Sequence, residues 1–372
     1  MLSVVLFMVI VLCGPAWIGT AADWPQWRGP DRSEVSSETG LLKQWPEGGP
    51  SQVWLYRDAG IGYAGVAVVG STLYTTGARD EKEYALAVNT ETGTEVWATE
   101  LGPMLKNSWG DGPRGTPTLD GGKAYIMSGR GLLAAVDAAS GKILWRKSMA
   151  DLGGKVPSWG YTESVLVDGQ RVICTPGGPQ GTVAALDRNT GEVVWQSSGF
   201  TEPAQYSSPI LFEHGGVRQV AVLTMHKLAG VAVDSGRLLW QTDWPGRTAV
   251  IPTPIFSDGY VFIASGYGVG CKLVKLGPDQ SVSEIYANKN LGNHHGGVLL
   301  LGDHLYGYAD RGGWTCMNFK TGEIVWQRRD VLGKGSVAAA DGMLYCLEET
   351  GGTVVLAEAD RKSTRLNSSH YS

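Results

Sequence analysis

The sequence predicts an all-β chain whose four-stranded antiparallel blades stack around an axis, and two observations carry that prediction. The first is a repeat. Marker tryptophans Trp54, Trp97, Trp145, Trp195, Trp240 and Trp326 lie 43, 48, 50, 45 and 86 residues apart. A period near 45 belongs to a four-stranded propeller blade or to a helical repeat. The second observation decides between them. The periods are rich in Val, Thr, Tyr, Trp and Gly, with short alternating runs and Asp-Gly turns, and beyond the first residues none keeps an apolar 3.6 period for three turns. A β-propeller follows.

The blades can be assigned in order. Blade one spans Tyr63–Glu100, two Thr116–Met149, three Tyr161–Ser197, four Ser207–Thr242, five Ile251–Asn288, six His295–Arg328 and seven Lys334–Asp360. Blade two shows the pattern, with strands at Thr116–Leu119, Ala124–Ser128, Leu132–Val136 and Ile143–Lys147. The turn before each fourth strand carries a glycine four residues ahead of the tryptophan, at Gly93, Gly141, Gly191, Gly236 and Gly322, with Ser or Thr just before it. Such a glycine is free to take positive φ. The last gap covers two periods, and Tyr286 stands where a tryptophan is missing. One blade cannot bury both faces alone, so the tryptophans are expected to fill the gaps between neighbours rather than to bind a ligand.

The ends depart from the repeat. Leu2–Cys13 is an apolar run too short to span a bilayer, broken by Gly14-Pro15 and followed by small residues. Residues 1–22 are therefore expected to be a secretory signal peptide. Residues 23–50 form an N-terminal docking segment opened by Trp24-Pro25-Gln26-Trp27-Arg28-Gly29-Pro30, whose prolines and glycine disfavour regular structure. The propeller covers 51–360. Ser51–Trp54 is expected to be a fourth strand lent to the last blade to close the ring. Residues 361–372 have no apolar alternation and are expected to be a non-native tail outside the fold.

A net charge of −5 with 18% charged residues gives no reason to propose nucleic acid as a partner. Cys174, Cys271, Cys316 and Cys346 form no Cys-x-x-Cys pair and lie in strand-like runs, as buried free thiols do. An exported protein could join them as disulfides, and spacing alone does not say which.

The units Asp137–Trp145 and Asp187–Trp195, with variants at Asn89–Trp97 and Asn318–Trp326, resemble the PQQ-like (pyrroloquinoline-quinone-type) β-propeller repeat family. In the copy ending at Trp240 the first position is Ala232, so that turn is expected to differ. The resemblance covers Trp54–Asp360 and implies an eight-bladed ring, of which seven blades are present. It also implies two kinds of function. Quinoprotein dehydrogenases of the family bind pyrroloquinoline quinone and Ca²⁺, whereas an outer-membrane-assembly lipoprotein uses the same propeller as a cofactor-free scaffold. The adjacent cysteines of the dehydrogenases are missing here.

Aligning the entries to the innermost strands places one residue per blade around a common mouth, Tyr63, Arg114, Thr162, Tyr206, Ile251, His295 and Lys334, with Tyr161, Glu163 and His294 among their neighbours. The candidate ligand-binding residues are Tyr63, Arg114, Tyr161, Glu163, Tyr206, His294, His295 and Lys334. Arg, Lys, His and Tyr together suit an anionic or sugar-like ligand. The blander alternative leaves Arg114 and Lys334 solvated, or paired with Glu163, with the tyrosines packed. His294-His295 lacks a carboxylate at a spacing that would complete a metal site, so no metal is assigned. Ser265–Gly270 matches a Gly-x-Gly pattern but opens no helix, so it is no phosphate loop.

The expected protein is a monomeric, exported propeller, periplasmic or secreted, that binds a protein, peptide or glycan without catalysis, cofactor or membrane span. The alternatives are a quinoprotein dehydrogenase with pyrroloquinoline quinone and Ca²⁺, or an axis-site lyase or hydrolase with His295 as base and Arg114 or Lys334 holding an anion.

Overall fold

The computed structural model describes residues 21–359 and the backbone of 366–368; the expected leader lies almost wholly outside the described residues. Seven sheets follow one another along the described residues, each with four strands paired antiparallel in sequence order, and the last gains a fifth strand from near the start of the chain. In blade two the strands are Thr118–Asp120, Lys123–Met127, Leu132–Asp137 and Ile143–Ser148, close to the expected bounds. Among the described residues the only helical element is a 3₁₀ turn at Met149–Leu152, and no helix is long and apolar enough to cross a membrane.

Alternation along the strands explains the stacking. Successive side chains point to opposite faces. In the second strand of blade two, Tyr125 and Met127 pack with Val172, Cys174 and Leu186 of blade three, whereas Ala124 and Ile126 pack with Ala85 and Ala87 of blade one. The six buried clusters fall in this way between successive blades.

The repeat turn is held by its own side chains. Asp137 Oδ1 accepts from Ser140 N at 2.8 Å and Oγ at 2.6 Å, while Gly141 N donates to Asp137 O. Asn89 and Asn318 accept the equivalent amide bonds. At Ala232 the backbone bond from Gly236 survives without side-chain support. Gly141 and Gly191 have φ near 72°, and a Cβ on Gly191 would lie 2.7 Å from the Trp145 ring. The glycine is thus required both by conformation and by the tryptophan of the preceding blade.

Two expectations about the ends need correction. Residues 51–57 form no strand. Trp54 nevertheless lies against Gly93 and donates to Thr90 O at 2.6 Å, taking the place that a preceding blade's tryptophan takes elsewhere. The strand that joins the last blade is instead Val35–Ser36, parallel to its inner strand Gly335–Ala340. At the outer edge, Leu366–Ser368 pairs antiparallel with Val355–Ala357. Part of the tail expected to stand apart therefore completes that sheet, because an open strand edge offers unpaired backbone groups to any extended segment.

The docking segment does not lie on the surface; it fills the axis. Trp24 bridges Val68 of blade one, and Leu119 N of blade two donates to Pro25 O. The indole of Trp27 donates to Thr253 of blade five at 3.0 Å. Arg32 donates to Ser164 O and Pro209 O at 2.9 Å and to Val165 O at 2.6 Å. Arg28 reaches Val298 O at 2.5 Å, and Ala339 N donates to Glu34 O. One short segment thus touches the inner strands of all seven blades. Its compactness comes from tight turns with Arg28, Arg32 and Glu34 at positive φ, a costly backbone offset by these buried bonds.

Candidate functional site

The inner strands enter from one face, and the axial segment closes the channel beneath that entrance. The mouth is therefore a cup rather than a pore. On one side Arg114 lies over the Tyr63 ring at 5.0 Å and donates to Gly110 O and Gly112 O. Its expected partner Glu163 is not there. No carboxylate lies within ion-pair distance of Arg114 among the described residues. Burial lowers the guanidinium pKa, and Tyr63, Glu83 and Asp111 oppose that effect.

Two of the eight expected residues turn away from the mouth. Tyr161 is buried in the core between blades two and three, with its hydroxyl on Pro176 O at 2.9 Å. Glu163 is buried beside Thr175, whose amide it accepts at 2.7 Å, and its other oxygen has no partner. Burial pushes its carboxyl up to about 7, against the bonds from Thr175 and the charge of Arg32. Tyr206 stays near the mouth, packed edge-on against Trp159 at 5.5 Å.

The other side of the mouth holds a connected polar group. Lys334 Nζ lies 2.7 Å from His294 Nδ1, and His294 Nε2 lies 2.7 Å from the Tyr267 hydroxyl. His295 and Lys334 flank Glu349 at 3.5 and 3.6 Å. The two imidazoles are 4.5 Å apart. Burial, then Lys334, holds His294 down at about 4, so its imidazole is neutral at pH 7, and the same causes lower His295. Asp310 closes the group by accepting from the Tyr267 amide. A Cβ on Gly266 would lie 2.8 Å from Asp310 and 2.9 Å from His294 Cα, so only glycine permits this approach.

Tyr267, Asp310 and Glu349 escaped the sequence alignment because they lie in turns of other strands. Also missed was a repeated turn, Ser108-Trp109-Gly110 and Ser158-Trp159-Gly160, at the entries of blades two and three. In both, the glycine amide donates to the residue three before it, and Asn107 Nδ2 ties the two loops through Ser158 O. Spacing of 50 residues, one repeat period, was the available signal.

A quinone with Ca²⁺ does not fit these donors. Ca²⁺ takes six to eight oxygens. The carboxylates beside the mouth are held by neighbouring protein groups: Glu83 by the amides of Leu105 and Gly129, Asp111 by the Asn107 amide and Lys106, and Glu349 by Lys334 and His295. No three His, Cys, Asp or Glu side chains group to hold a metal among the described residues. Cys174, Cys271, Cys316 and Cys346 are all buried within blades, and none stands next to another in sequence.

Seven antiparallel blades joined by Asp-x-x-Ser/Thr-Gly turns and interblade tryptophans define a β-propeller of the PQQ-like repeat class. Residues 81–328, more than half of the chain, match the family described as outer membrane protein assembly factor BamB, and the chain belongs to that family. It is 26% identical over 266 residues to the outer membrane protein assembly factor BamB of Shewanella oneidensis, covering 65% of this chain and 66% of that one. The chain thus spans just under two thirds of this relative. Its fold resembles the crystal structure of BamB from Moraxella catarrhalis, with TM-score 0.57, 17% identity and coverage of 81% and 83% of the two chains. It also resembles quinohemoprotein alcohol dehydrogenase from Comamonas testosteroni, with TM-score 0.63, 13% identity and coverage of 92% and 72%.

Proposed function

We propose that this protein is an exported, monomeric propeller, periplasmic or secreted, that serves as a scaffold for polypeptide ligands and performs no chemistry itself. The axial segment carries the reading. With Arg28 and Arg32 spent on inner-strand carbonyls, the axis offers no open channel, and binding falls to loops and rims. Kinship with outer membrane protein assembly factors supports polypeptides as the ligand class. The dehydrogenase reading draws on the fold and on matches to part of the chain, such as 29% identity over 142 residues to quinohemoprotein alcohol dehydrogenase ADH IIB of Pseudomonas putida, and lacks a suitable donor set. The hydrolytic reading has its base, His295, engaged with Glu349.

The test presents the full mature chain with an unfolded outer-membrane porin diluted from urea, and follows binding by thermophoresis. Pyrroloquinoline quinone with Ca²⁺ is titrated in parallel, with dye-coupled alcohol oxidation as the readout. Saturable porin binding without quinone turnover is expected. Saturable quinone binding with turnover, or failure to bind the porin, overturns the proposal.

A further inference from the structure

Blade seven departs from the other six at its outer edge. In blades one to six the fourth strand sets a tryptophan or tyrosine opposite one fixed position of the third, as Trp97 stands opposite Ala87, Trp145 opposite Ala135 and Trp326 opposite Cys316. Register puts Leu356 at that position in blade seven, because Tyr345 pairs with Leu356 as Tyr125 pairs with Ala135. The residue opposite Leu356 is Asn367, in the short strand Leu366–Ser368. An antiparallel segment thus fits this edge, held by three residue pairs and without the aromatic residue of the other blades. The ring comes from elsewhere. Tyr74–Trp97, Tyr125–Trp145 and Tyr306–Trp326 pack at 6.0, 6.1 and 6.1 Å, each pair within its own blade. Tyr345 packs at 6.2 Å on Trp45, which belongs to the irregular stretch ahead of blade one.

The face beside that edge is open. Val355 and Ala357 enter the cluster shared with blade six, so Val354 and Leu356 point to the opposite side. Among the described residues, the six buried clusters join blades one to seven in series, and none joins seven to one. Leu347, which pairs with Val354, is 42% exposed, whereas Met127, its counterpart in blade two, is 2% exposed beneath blade three. Val354 and Leu347 therefore form an apolar strip beside the edge, with no further blade packed on it among the described residues.

We propose that the outer edge of blade seven docks one extended strand of a partner polypeptide, antiparallel to Val354–Glu358, with an aromatic residue opposite Leu356 and an apolar residue opposite Val354. The partner's backbone takes the edge from Leu366–Ser368, its ring takes the place of Trp45 on Tyr345, and its apolar residue covers Leu347. Strand addition of this kind draws affinity from main-chain bonds and selectivity from alternate side chains. Two positions on one face, two residues apart, call for alternating apolar residues, which is the pattern of strands from membrane β-barrels. The inference rests on the scaffold reading and deepens it, because it names the class of polypeptide and the edge that takes it.

The experiment follows the fluorescence anisotropy of a short labelled peptide, Val alternating with Thr or Lys around one central Trp, titrated with the full mature chain. Saturable binding is expected. It should weaken about five-fold when Ala replaces the peptide's Trp, the upper end for a cross-strand pair, and vanish when alternate peptide amides are methylated. Leu366→Pro unpairs the competing segment and Trp45→Ala removes the competing ring, so each is expected to strengthen binding. Leu347→Glu, at an exposed position, is expected to weaken it with the melting temperature unchanged. The proposal is overturned if the peptide does not bind saturably, if its methylated form binds as tightly, or if neither Leu366→Pro nor Leu347→Glu alters the affinity. Unfolded porin is measured alongside. Porin that displaces the peptide supports both readings. Porin that binds without displacing it removes this edge and leaves the scaffold. Failure of porin to bind removes the scaffold reading, while the peptide titration still decides the edge.

Discussion

The indole of Trp145 donates to the carbonyl of Arg188, one blade further on, at 3.0 Å. Arg188 directly follows the aspartate that starts the turn of its blade. The same bond recurs from Trp54 to Thr90, from Trp97 to Ala138 and from Trp195 to Val233. Tyr286 reproduces it with its hydroxyl on Phe319 O at 2.9 Å and its ring against Gly322. The repeat motif is therefore a latch whose two halves lie in neighbouring blades. Trp240 is the exception that explains the rule. Blade five replaces the usual turn with Gly277–Ser281, and Trp240 folds back over Gly230 to bond Gln219 instead.

Breaking one latch should cost the whole ring. Trp145→Ala removes a buried ring between blades two and three and is expected to destabilise by about 3–5 kcal/mol. Gly191→Ala drives a methyl into that ring at an unfavourable φ, and about 1–3 kcal/mol is expected from the overpacking alone. Urea unfolding of both variants measures the two costs.

Removing the axial anchor should be comparably severe. Arg32→Ala leaves Ser164 O and Pro209 O without their donor, each unsatisfied group costing about 1–3 kcal/mol, while Val165 O keeps the Thr118 hydroxyl at 2.7 Å. The variant is expected to melt well below the parent, and hydrogen exchange should rise first at Val165 and its neighbours. An unchanged melting temperature would show that the axial segment is not structural.

Stability should fall as pH rises toward neutrality. The Glu163 carboxyl, raised from 4.5 to about 7, binds more protons in the folded state between these values. Its stabilising contribution is complete below pH 4.5 and is lost by pH 7, a difference of about 3 kcal/mol. Glu163→Gln is expected to flatten this slope and to melt above the parent at pH 8. A parallel pH profile in the variant would assign the slope to other groups.

The cysteines should be silent until the blades open. Cys174, Cys271, Cys316 and Cys346 are all buried, and burial pushes the Cys271 and Cys346 thiols up to about 12. Ellman's reagent is expected to find no thiol in the native mature protein and four in denaturant. Fewer than four in denaturant would reveal a disulfide.

Blade order, strand order and the stand-in at Tyr286 were legible because each depends on neighbours within one period or the next. The axial segment was not. Nothing in Trp24–Glu34 shows that Arg28 and Arg32 find carbonyls scattered from Ser164 to Val298, since those partners are fixed only once the ring exists. The mouth was half legible for a related reason. Alignment finds residues at equivalent entries, such as Arg114 and Lys334, but not those such as Tyr267 that reach the mouth from a hairpin turn. It places Thr162, whose hydroxyl reaches Tyr206 O, but the neighbouring Tyr161 added to the candidates faces the core.

The pairing of Val35 with Ala339 sets an order of assembly. The segment holding Val35, among the first made, finds its last partner only after seven blades have been made. Contacts this distant in sequence close slowly. Until then each growing stack of blades has a bare hub, with inner carbonyls in water and two arginines still hydrated. Final docking of this segment thus waits for the seventh blade. A chain stalled at blade six would lack its last anchor and remain distinguishable from a finished one by the openness of its centre.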